Sequence, residues 1–498
     1  MPGFSADRRS RFLVVATAIL LLACTAIAAA SCGSSPTASS YKPPAAADYS
    51  KLTWTQAFEK LQAKFSREYA FTEWKGINWK ALYQKYQPIV ARAQASKDQN
   101  AYYLALREYT HTMRDGHVSV KPDDMTVYQA VAGGGFGLVV TKLDNGQVVA
   151  TWVTDGGPAA AAGMKLGAQI VKWDGKPVKT ALAQTSTALS PPQPTNARTV
   201  YEQLRFLVRA PVGTDKTVAF KNQGESGSRT ATLKAVEDGM ETLAMTDSRS
   251  ALSKGPLPEK MVQQKTLPGN IGYVRIVCEL DLPQAAPGDH TPTLELFRQA
   301  INSFIDSKVA GIMVDIRSNS GGSDQMVADF MSSFYKEKTL YEYANFVVPA
   351  TGQFEIWKEN EKTGEYVSPG QGTYIQAGSK VYTGPVVALV NNGCISSGEG
   401  VAMGIKNLPK GKVVGFYGTN GSFGMAGDSV KMPAGYEVDW PFGQSLDKNK
   451  VVQVDSKGGK GGVLPNKSIP MTLDNALKVA SGHDVELEYG LKALNQMR

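Results

Sequence analysis

The spacing of apolar residues divides the chain into three parts. Over residues 52–115, apolar side chains such as Trp54, Phe58 and Leu61 recur every three or four residues, which predicts amphipathic helices. Residues 130–236 instead hold short alternating stretches and many glycines, which predicts strands joined by tight turns. Over residues 268–480, apolar runs alternate with helical patterns such as 294–307, and this alternation is typical of an α/β layer arrangement.

Residues 1–31 carry the pattern of a secretory signal peptide. Three arginines precede an apolar stretch that covers 12–30 and ends in small residues. A polar segment rich in Ser, Pro and Ala follows, so we expect 32–51 to be a flexible tether. The alternative is a permanent membrane span, because the 19 apolar residues are just long enough to cross a bilayer.

The end of this segment resembles the lipoprotein box of bacterial exported proteins. Small residues precede Cys32, and Gly, Ser and Ser follow it. The resemblance implies that Cys32 is lipidated and becomes the first residue of the mature protein. Cys24, which has a Leu three positions before it, is a second candidate. We therefore expect an exported protein that is anchored to the membrane of a bacterial cell envelope and faces away from the cytoplasm.

Composition and charge exclude several classes of function. The chain has 498 residues with 42% hydrophobic and 20% charged side chains, as in ordinary globular proteins. The net charge of +8 is spread without a long basic run, so we expect no nucleic-acid partner. With four histidines and no zinc motif, we expect no metal and no cofactor. The sequence leaves open whether Cys278 and Cys394 form a disulfide.

Two polar turns follow buried strands and could carry chemistry. At Val390–Gly400 an apolar strand turns sharply into a helix of small residues, with Ser396 at the turn. A hydroxyl there lies beside the free N–H groups of a helix N-terminus, which favour an oxyanion, although a helix-capping serine is the common alternative. At Asp315–Gly322 a second strand ends in paired glycines, whose N–H groups can approach a ligand closely. Two such strand ends can line one crevice.

Together these segments resemble the signature pair of the tail-specific (C-terminal processing) serine proteases. The chain reads DIRSNSGG and then CISSGE, and the resemblance covers roughly residues 55–480. It implies Ser396 as the nucleophile, with the N–H groups of Ser397 and of Gly321 or Gly322 as the oxyanion hole. It also implies an α/β fold whose mixed-sheet core is a ClpP- or crotonase-like spiral.

The segment between helices and core resembles a PDZ domain. Gly135, Phe136, Gly137 and Leu138 match the loop with which that family binds the carboxylate of a peptide's C-terminus. The bound peptide then adds as a strand to the edge of a sheet. The resemblance implies polypeptide substrates that are captured through their C-termini.

The catalytic base is where the chain departs from one branch of the family. That branch uses a lysine about 25 residues after the serine, but this position is Gly421. A second branch, which resembles tricorn, uses a histidine from the N-terminal region, and His117 stands at the matching place. That branch orients its histidine with an acid, for which Asp455 is the candidate. Lys410, Lys412 and Lys431 are the fallback if His117 is not the base.

We therefore expect a serine endopeptidase that cleaves unfolded or C-terminally tagged proteins through an acyl-enzyme. One alternative is a non-catalytic relative that binds peptides or apolar ligands, and another makes Cys394 the nucleophile. The expected organisation is a signal peptide (1–31), a tether (32–51), a helical region (52–125), a PDZ domain (126–240) and a protease core (241–498).

Overall fold

The computed structural model describes most of the chain beyond the expected signal peptide. The described residues are 39–41, 46–247, 260–281, 292–349, 351–359, 366–368 and 371–498. Cys24 and Cys32 lie outside them, so the predictions for these two cysteines are not tested by the structure. Within the described segments, no helix combines the length and the apolar character that a bilayer-spanning helix needs.

Helices dominate the N-terminal part, as the apolar spacing predicts. Thr53 caps the first helix, because its hydroxyl accepts the N–H of Gln56 while the Gln56 side chain accepts the N–H of Thr53. The elements are α1 (Trp54–Glu68), α2 (Thr72–Lys75), α3 (Trp79–Ser96), α4 (Gln99–His111), α5 (Met125–Ala132), β1 (Ser39–Tyr41), β2 (Ala47–Asp48) and β3 (Ser119–Lys121).

The middle part is built from short strands and helices. Its main sheet has the order β11-β10-β7-β6-β5, so that β5 is a terminal strand, while β12, β4 and β9 form a smaller sheet. The elements are β4 (Gly134–Gly135), β5 (Leu138–Lys142), β6 (Val148–Val153), α6 (Pro158–Ala161), β7 (Gln169–Trp173), β8 (Lys176–Pro177), α7 (Val178–Gln184), α8 (Asn196–Leu207), β9 (Arg209–Ala210), β10 (Asp215–Lys221), β11 (Arg229–Lys234), β12 (Val236–Glu237) and α9 (Glu241–Asp247).

The C-terminal part contains a largely parallel sheet with the order β13-β14-β15-β20-β21, in which only β13 is antiparallel to its neighbour. A second, mostly antiparallel sheet has the order β1-β18-β17-β16-β23-β22-β2. The elements are β13 (Val262–Leu267), β14 (Ile271–Ile276), α10 (Thr293–Asp306), β15 (Gly311–Asp315), α11 (Asp324–Met331), β16 (Thr339–Val347), β17 (Phe354–Glu359), β18 (Tyr366–Ser368), β19 (Thr373–Ile375), β20 (Val386–Leu389), α12 (Ser397–Lys406), β21 (Gly411–Val414), β22 (Met425–Lys431), β23 (Glu437–Leu446), α13 (Leu473–Ala480) and α14 (Val485–Asn495).

The parallel sheet is buried on both faces. Along β15, Ile312 and Val314 pack into one apolar cluster, while Met313 packs into another with Leu494 of α14. A strand covered on both sides needs a continuous apolar run, and this is the pattern that the sequence shows. The α/β class predicted from the sequence is confirmed, and the finer expectation of a ClpP- or crotonase-like spiral stays a prediction.

The N-terminal helices share one core with the second sheet. Phe65 of α1 stacks on Trp440 of β23 with ring centroids 4.9 Å apart, and both side chains are fully buried. The strand that follows the helices, β3, pairs with β23 so that Val120 lies opposite Val438. These contacts place the segment between α4 and β3, which contains His117, against the C-terminal part of the chain.

We expect Phe65→Ala to destabilise the whole protein, because it opens a cavity at this shared core. The free energy of unfolding should fall by about 3–5 kcal/mol. Denaturant titration followed by circular dichroism measures the change. The control is Leu166→Ala at a side chain that is 52% exposed, where we expect a change within about 0.5 kcal/mol. An equal loss in the free energy of unfolding for the two substitutions would contradict a stabilising role of Phe65 in this shared core.

Candidate active site

Ser396 stands at a strained turn between β20 and α12. Its backbone has φ 57° and ψ −137°, a conformation that side chains with a Cβ rarely adopt. Ser396 occupies the position that caps α12, yet its hydroxyl caps none of the helix N–H groups in the described structure. The N–H of Ser397 likewise makes no hydrogen bond within the described chain. Ser396 therefore does not act as a helix-capping serine, which was the structural alternative.

The paired glycines lie directly against this serine. A Cβ built on Gly321 would stand 2.5 Å from the Cβ of Ser396 and 3.0 Å from its Oγ, and Gly321 has φ +83°. No residue with a side chain fits this position without displacing Ser396. The sequence predicted that the two strand ends would meet, and the structure brings them together.

The two glycine N–H groups differ in what they can do. The N–H of Gly321 already donates to Asn319 Oδ1 at 2.8 Å. The N–H of Gly322 has no hydrogen-bond partner among the described residues. Of the two glycines that the sequence offered as alternatives, Gly321 has its N–H satisfied by Asn319, and Gly322 has the N–H that is left for a ligand beside Ser397.

Reciprocal hydrogen bonds lock the glycine loop to the serine turn. Ser318 donates its N–H to Asn391 Oδ1 at 2.8 Å, and Asn391 Nδ2 donates to Ser318 Oγ at 3.1 Å. The N–H of Ile395 donates to the carbonyl of Asn319 at 3.0 Å. These bonds fix the relative position of the two loops before any ligand arrives.

Glu399, on the first turn of α12, organises the next loop of the site. Its fully buried carboxylate accepts the Thr419 hydroxyl and the N–H groups of Gly421 and Ser422, each of these N–H contacts being 2.8 Å long. Burial raises the pKa of Glu399 to about 7, while these hydrogen bonds and the nearby His117 oppose the rise. Gly421, which stands where one branch of the family has its lysine, thus donates its backbone N–H to Glu399.

Ser422 connects the histidine segment to the serine. Its carbonyl accepts the N–H of Ser396 at 3.0 Å, and its hydroxyl accepts the N–H of Gly116 at 2.7 Å. The residue after Gly116 is His117, whose side chain is 8% exposed. Between the described residues no hydrogen bond joins the His117 ring to Ser396 Oγ. Ser422 therefore connects the backbone of the His117 segment to that of Ser396.

The carboxylate beside His117 is Asp115. Its Oδ1 lies 3.7 Å from His117 Nδ1, and its Oδ2 accepts Lys75 Nζ at 2.9 Å and the Tyr69 hydroxyl at 2.8 Å. Burial opposes ionisation of Asp115, but Lys75 and His117 outweigh it and hold the pKa of this carboxyl below its usual range. Sequence reasoning missed Asp115, although the Asp-Gly-His spacing was the available signal.

Asp455 joins the same group of residues without contacting His117. Its Oδ2 accepts the N–H of Phe423 at 3.0 Å, and its Oδ1 has no hydrogen-bond partner in the described part of the chain. Burial raises the pKa of Asp455 well above its ordinary value. The carboxylate nearest to the His117 ring is thus that of Asp115, at 3.7 Å, and the role of Asp455 in orienting His117 stays a prediction.

Cys278 and Cys394 do not form a disulfide, and both are buried. Burial raises the pKa of the Cys394 thiol well above its usual range, with Glu399 adding to the rise. A thiol in this state is a poor nucleophile, so the alternative of Cys394 as catalytic residue is disfavoured. The structure shows no cluster of His, Cys, Asp and Glu suited to a metal in the segments that it describes.

The glycine loop of the middle part is largely closed by the protein itself. Gly135 belongs to β4, which pairs with a strand on each side, and a Cβ there would meet the Asp238 carboxylate at 2.4 Å. The Phe136 side chain is fully buried against Trp173. Leu138 begins β5, the terminal strand of its sheet, and both α8 and α9 pack against that strand.

Comparison with known proteins matches two segments of the chain to protease families. Residues 270–458 match the model of peptidase family S41, and residues 50–101 match that of the tricorn protease C1 domain. The chain contains a peptidase S41 segment, and both matches support the tail-specific (C-terminal processing) protease family. It is thus a serine-type peptidase. No curated protein matches the chain closely enough to count as a relative.

Several solved structures align with nearly the whole chain. Mature CPAF complexed with lactacystin is 15% identical, with a TM-score of 0.59 over 89% of this chain and 98% of that one. A peptidase from Parabacteroides merdae ATCC 43184 is 14% identical, with a TM-score of 0.47 over 88% and 96% of the two chains. The photosystem II D1 C-terminal processing protease is 20% identical, with a TM-score of 0.37 over 87% and 98%. The likeness to CPAF shows a common fold.

We expect Gly321→Ala to abolish most of the peptidase activity, because the new methyl group displaces Ser396. Displacements of about 1 Å at a reacting group cost roughly a hundredfold in rate. The matched control is Gly269→Ala, which has a similar φ of +80° but open space around its Cβ. Steady-state rates and thermal unfolding of both variants separate the collision from backbone strain. A rate for Gly321→Ala equal to that of Gly269→Ala would contradict the close contact.

Proposed function

We propose that this S41 peptidase is an endopeptidase that works through an acyl-enzyme on Ser396, with His117 as general base. The observation that carries the proposal is the turn at Ser396. There a hydroxyl that caps nothing stands next to the N–H groups of Ser397 and Gly322, which have no partner in the described chain. Such a pair of free donors beside a half-buried hydroxyl suits the charge that develops on a carbonyl oxygen under attack.

In the proposed reaction, Ser396 Oγ attacks the carbonyl carbon of the scissile peptide bond and its proton passes to the His117 ring. The carbonyl oxygen becomes negative and accepts hydrogen bonds from Ser397 and Gly322. Collapse of this intermediate breaks the C–N bond, and the protonated His117 returns the proton to the leaving amine. Water, deprotonated by His117, then releases the acyl group from Ser396 and restores the hydroxyl.

The ionised Asp115 supports the imidazolium form in this proposal. A carboxylate 3.7 Å from Nδ1 can stabilise a positive ring, and Lys75 and Tyr69 keep that carboxylate in place. Because Lys75 neutralises part of the charge on Asp115, the attraction for the ring is moderate. A hydrogen bond between Ser396 and the His117 ring would form on substrate binding, since catalytic hydrogen bonds often tighten only in the complex.

Ser396→Ala and His117→Ala should each lower turnover of an unfolded protein substrate by at least about 10⁴-fold, by analogy with the removal of triad members in other serine proteases. A fluorophosphonate probe should label Ser396 in the wild type and label neither variant at a comparable rate. His483→Ala, at an exposed histidine, is the matched control and should keep wild-type activity.

Near-normal turnover of His117→Ala would refute the histidine base and return attention to Lys410, Lys412 and Lys431. A wild-type protein that neither reacts with the probe nor cleaves any unfolded substrate would instead support a non-catalytic binder of the same fold.

We further propose that the middle part acts as a PDZ domain and captures the C-terminus of the substrate at the edge of β5. The support is the terminal position of β5 and its flanking helix α8. However, α9 also packs on β5 and α8, where Arg205 Nε donates to the Thr246 hydroxyl at 2.8 Å. A peptide that adds to β5 must therefore compete with α9.

If capture depends on a free carboxylate, a peptide with a free C-terminus should be cleaved roughly tenfold faster than its amidated form, as expected for one charge-assisted hydrogen bond. Thr246→Val removes the hydroxyl that Arg205 holds and loosens α9, so it should raise kcat/KM for the free peptide more than for the amidated one. Equal kcat/KM for both peptides in both proteins would rule out this mode of capture.

Export and anchoring at Cys32 remain proposals that rest on the sequence pattern of residues 1–38 alone. They agree with a peptidase that acts on polypeptides outside the cytoplasm, where a lipid anchor would hold it at the membrane surface. Two lipid signals are needed for stable anchoring, since a single acyl chain binds only marginally.

A further inference from the structure

Glu279 is a fully buried carboxyl that braces the glycine loop. Its Oε1 accepts Asn319 Nδ2 at 2.7 Å, and its Oε2 has no hydrogen-bond partner within the described residues. Its backbone also holds the loop, because its N–H donates to the Gly321 carbonyl at 3.1 Å and its carbonyl accepts the N–H of Ser323 at 2.9 Å. A Cβ on Gly322 would stand 2.3 Å from this carbonyl oxygen, so the two chains are in close contact.

Asn319 transmits the position of Glu279 to the glycines. Its Nδ2 donates to two acceptors, Glu279 Oε1 and the carbonyl of Ile276 at 3.1 Å. With the amide nitrogen directed to these acceptors, Oδ1 must face the other way, where it accepts the N–H of Gly321 at 2.8 Å. Gly321 is thereby held with its N–H turned to Asn319, and the next N–H, that of Gly322, is left for a ligand.

We infer that Glu279 acts through Asn319 as a positioning residue for the Gly322 oxyanion donor, and that it does so as a neutral acid. The inference rests on the proposed function, since it concerns the same donor. No cation pairs with Glu279 in the described part of the chain, and an isolated buried carboxylate is strongly disfavoured. A negative charge at Glu279 would also oppose the charge that develops on the oxyanion.

The groups around Glu279 are consistent with this protonation state. Burial raises the pKa of Glu279 to about 8, and Asp324 adds to the rise. Burial raises the pKa of Asp324 to about 6, and it raises those of Tyr341 and Cys394 well above their ordinary values. Of these facing groups, Glu279 is the one that changes charge as the pH rises from 7 to 9. Activity should therefore fall as the pH passes about 8.

Glu279→Gln tests the inference, because it keeps an oxygen for Asn319 and cannot ionise. We expect kcat at pH 7 within about threefold of wild type and loss of the alkaline fall in the kcat profile. Glu279→Ala removes the brace, and we expect kcat to drop by about tenfold to a hundredfold with little change in KM, in the range seen when an oxyanion donor is disturbed. Its affinity for a peptide boronate should fall by a similar factor.

Glu342→Gln is the matched control, since Glu342 is buried and accepts the Ser445 hydroxyl instead. The kcat of Glu342→Gln should still fall at alkaline pH, as in the wild type. An unchanged fall in Glu279→Gln would overturn the inference, and so would wild-type kcat in Glu279→Ala. If Glu279→Ala does not fold, the profile of Glu279→Gln decides alone. Failure of the proposed function looks different, because wild type would then show neither turnover nor labelling of Ser396.

Discussion

The site depends on one buried carboxylate, that of Glu399. It gathers the hydroxyl of Thr419 and two consecutive N–H groups, and so determines the course of the loop up to Ser422. Ser422 in turn holds the backbone of Ser396 on one side and that of Gly116 on the other. Without this anchor the loop would have to satisfy its buried N–H groups elsewhere, and the serine and histidine segments would lose their common support.

Two other parts of the chain converge on this support. The N-terminal helices reach it through the Phe65–Trp440 stack and through pairing of β3 with β23. The middle part reaches it through α8, where Arg198 Nη1 donates to Asn392 Oδ1 at 3.2 Å on the serine turn. Asn196, at the start of the same helix, donates its N–H to the Gly459 carbonyl at 2.8 Å. The site is therefore assembled by tertiary contacts, and a disturbance in any of these parts can reach it.

Several buried carboxyl groups lie around Ser396, and they differ in whether a cation contacts them. Burial raises the pKa values of Glu279, Glu399 and Asp455, because none of them has a cation in contact in the described structure. Asp115 has Lys75, and its pKa moves in the other direction. A single ion pair thus separates the carboxylate that stays charged beside His117 from the acids that are costly to ionise. In the proposed mechanism, this contrast allows Asp115 to support an imidazolium at His117.

The sequence by itself determined the fold class, the serine turn and the glycine loop. Apolar runs such as 310–316 are long enough for strands buried on both faces, and the motifs around Ser396 and Gly322 are local, so their residues are neighbours in the chain as well as in space. Periodicity and turn chemistry act over a few residues, and a sequence records them directly.

Only the tertiary structure decided which groups are partners across the site. The choice of Asp115 over Asp455 beside His117 depends on how β3 pairs with β23 and on where Lys75 is buried. The availability of the Gly322 N–H rather than that of Gly321 depends on the direction of the Asn319 amide, whose Nδ2 donates to Glu279, just after β14, and whose Oδ1 accepts the N–H of Gly321. Hydrogen bonds and charges between residues far apart in the chain depend on distance and burial, and these quantities exist only once the chain has folded.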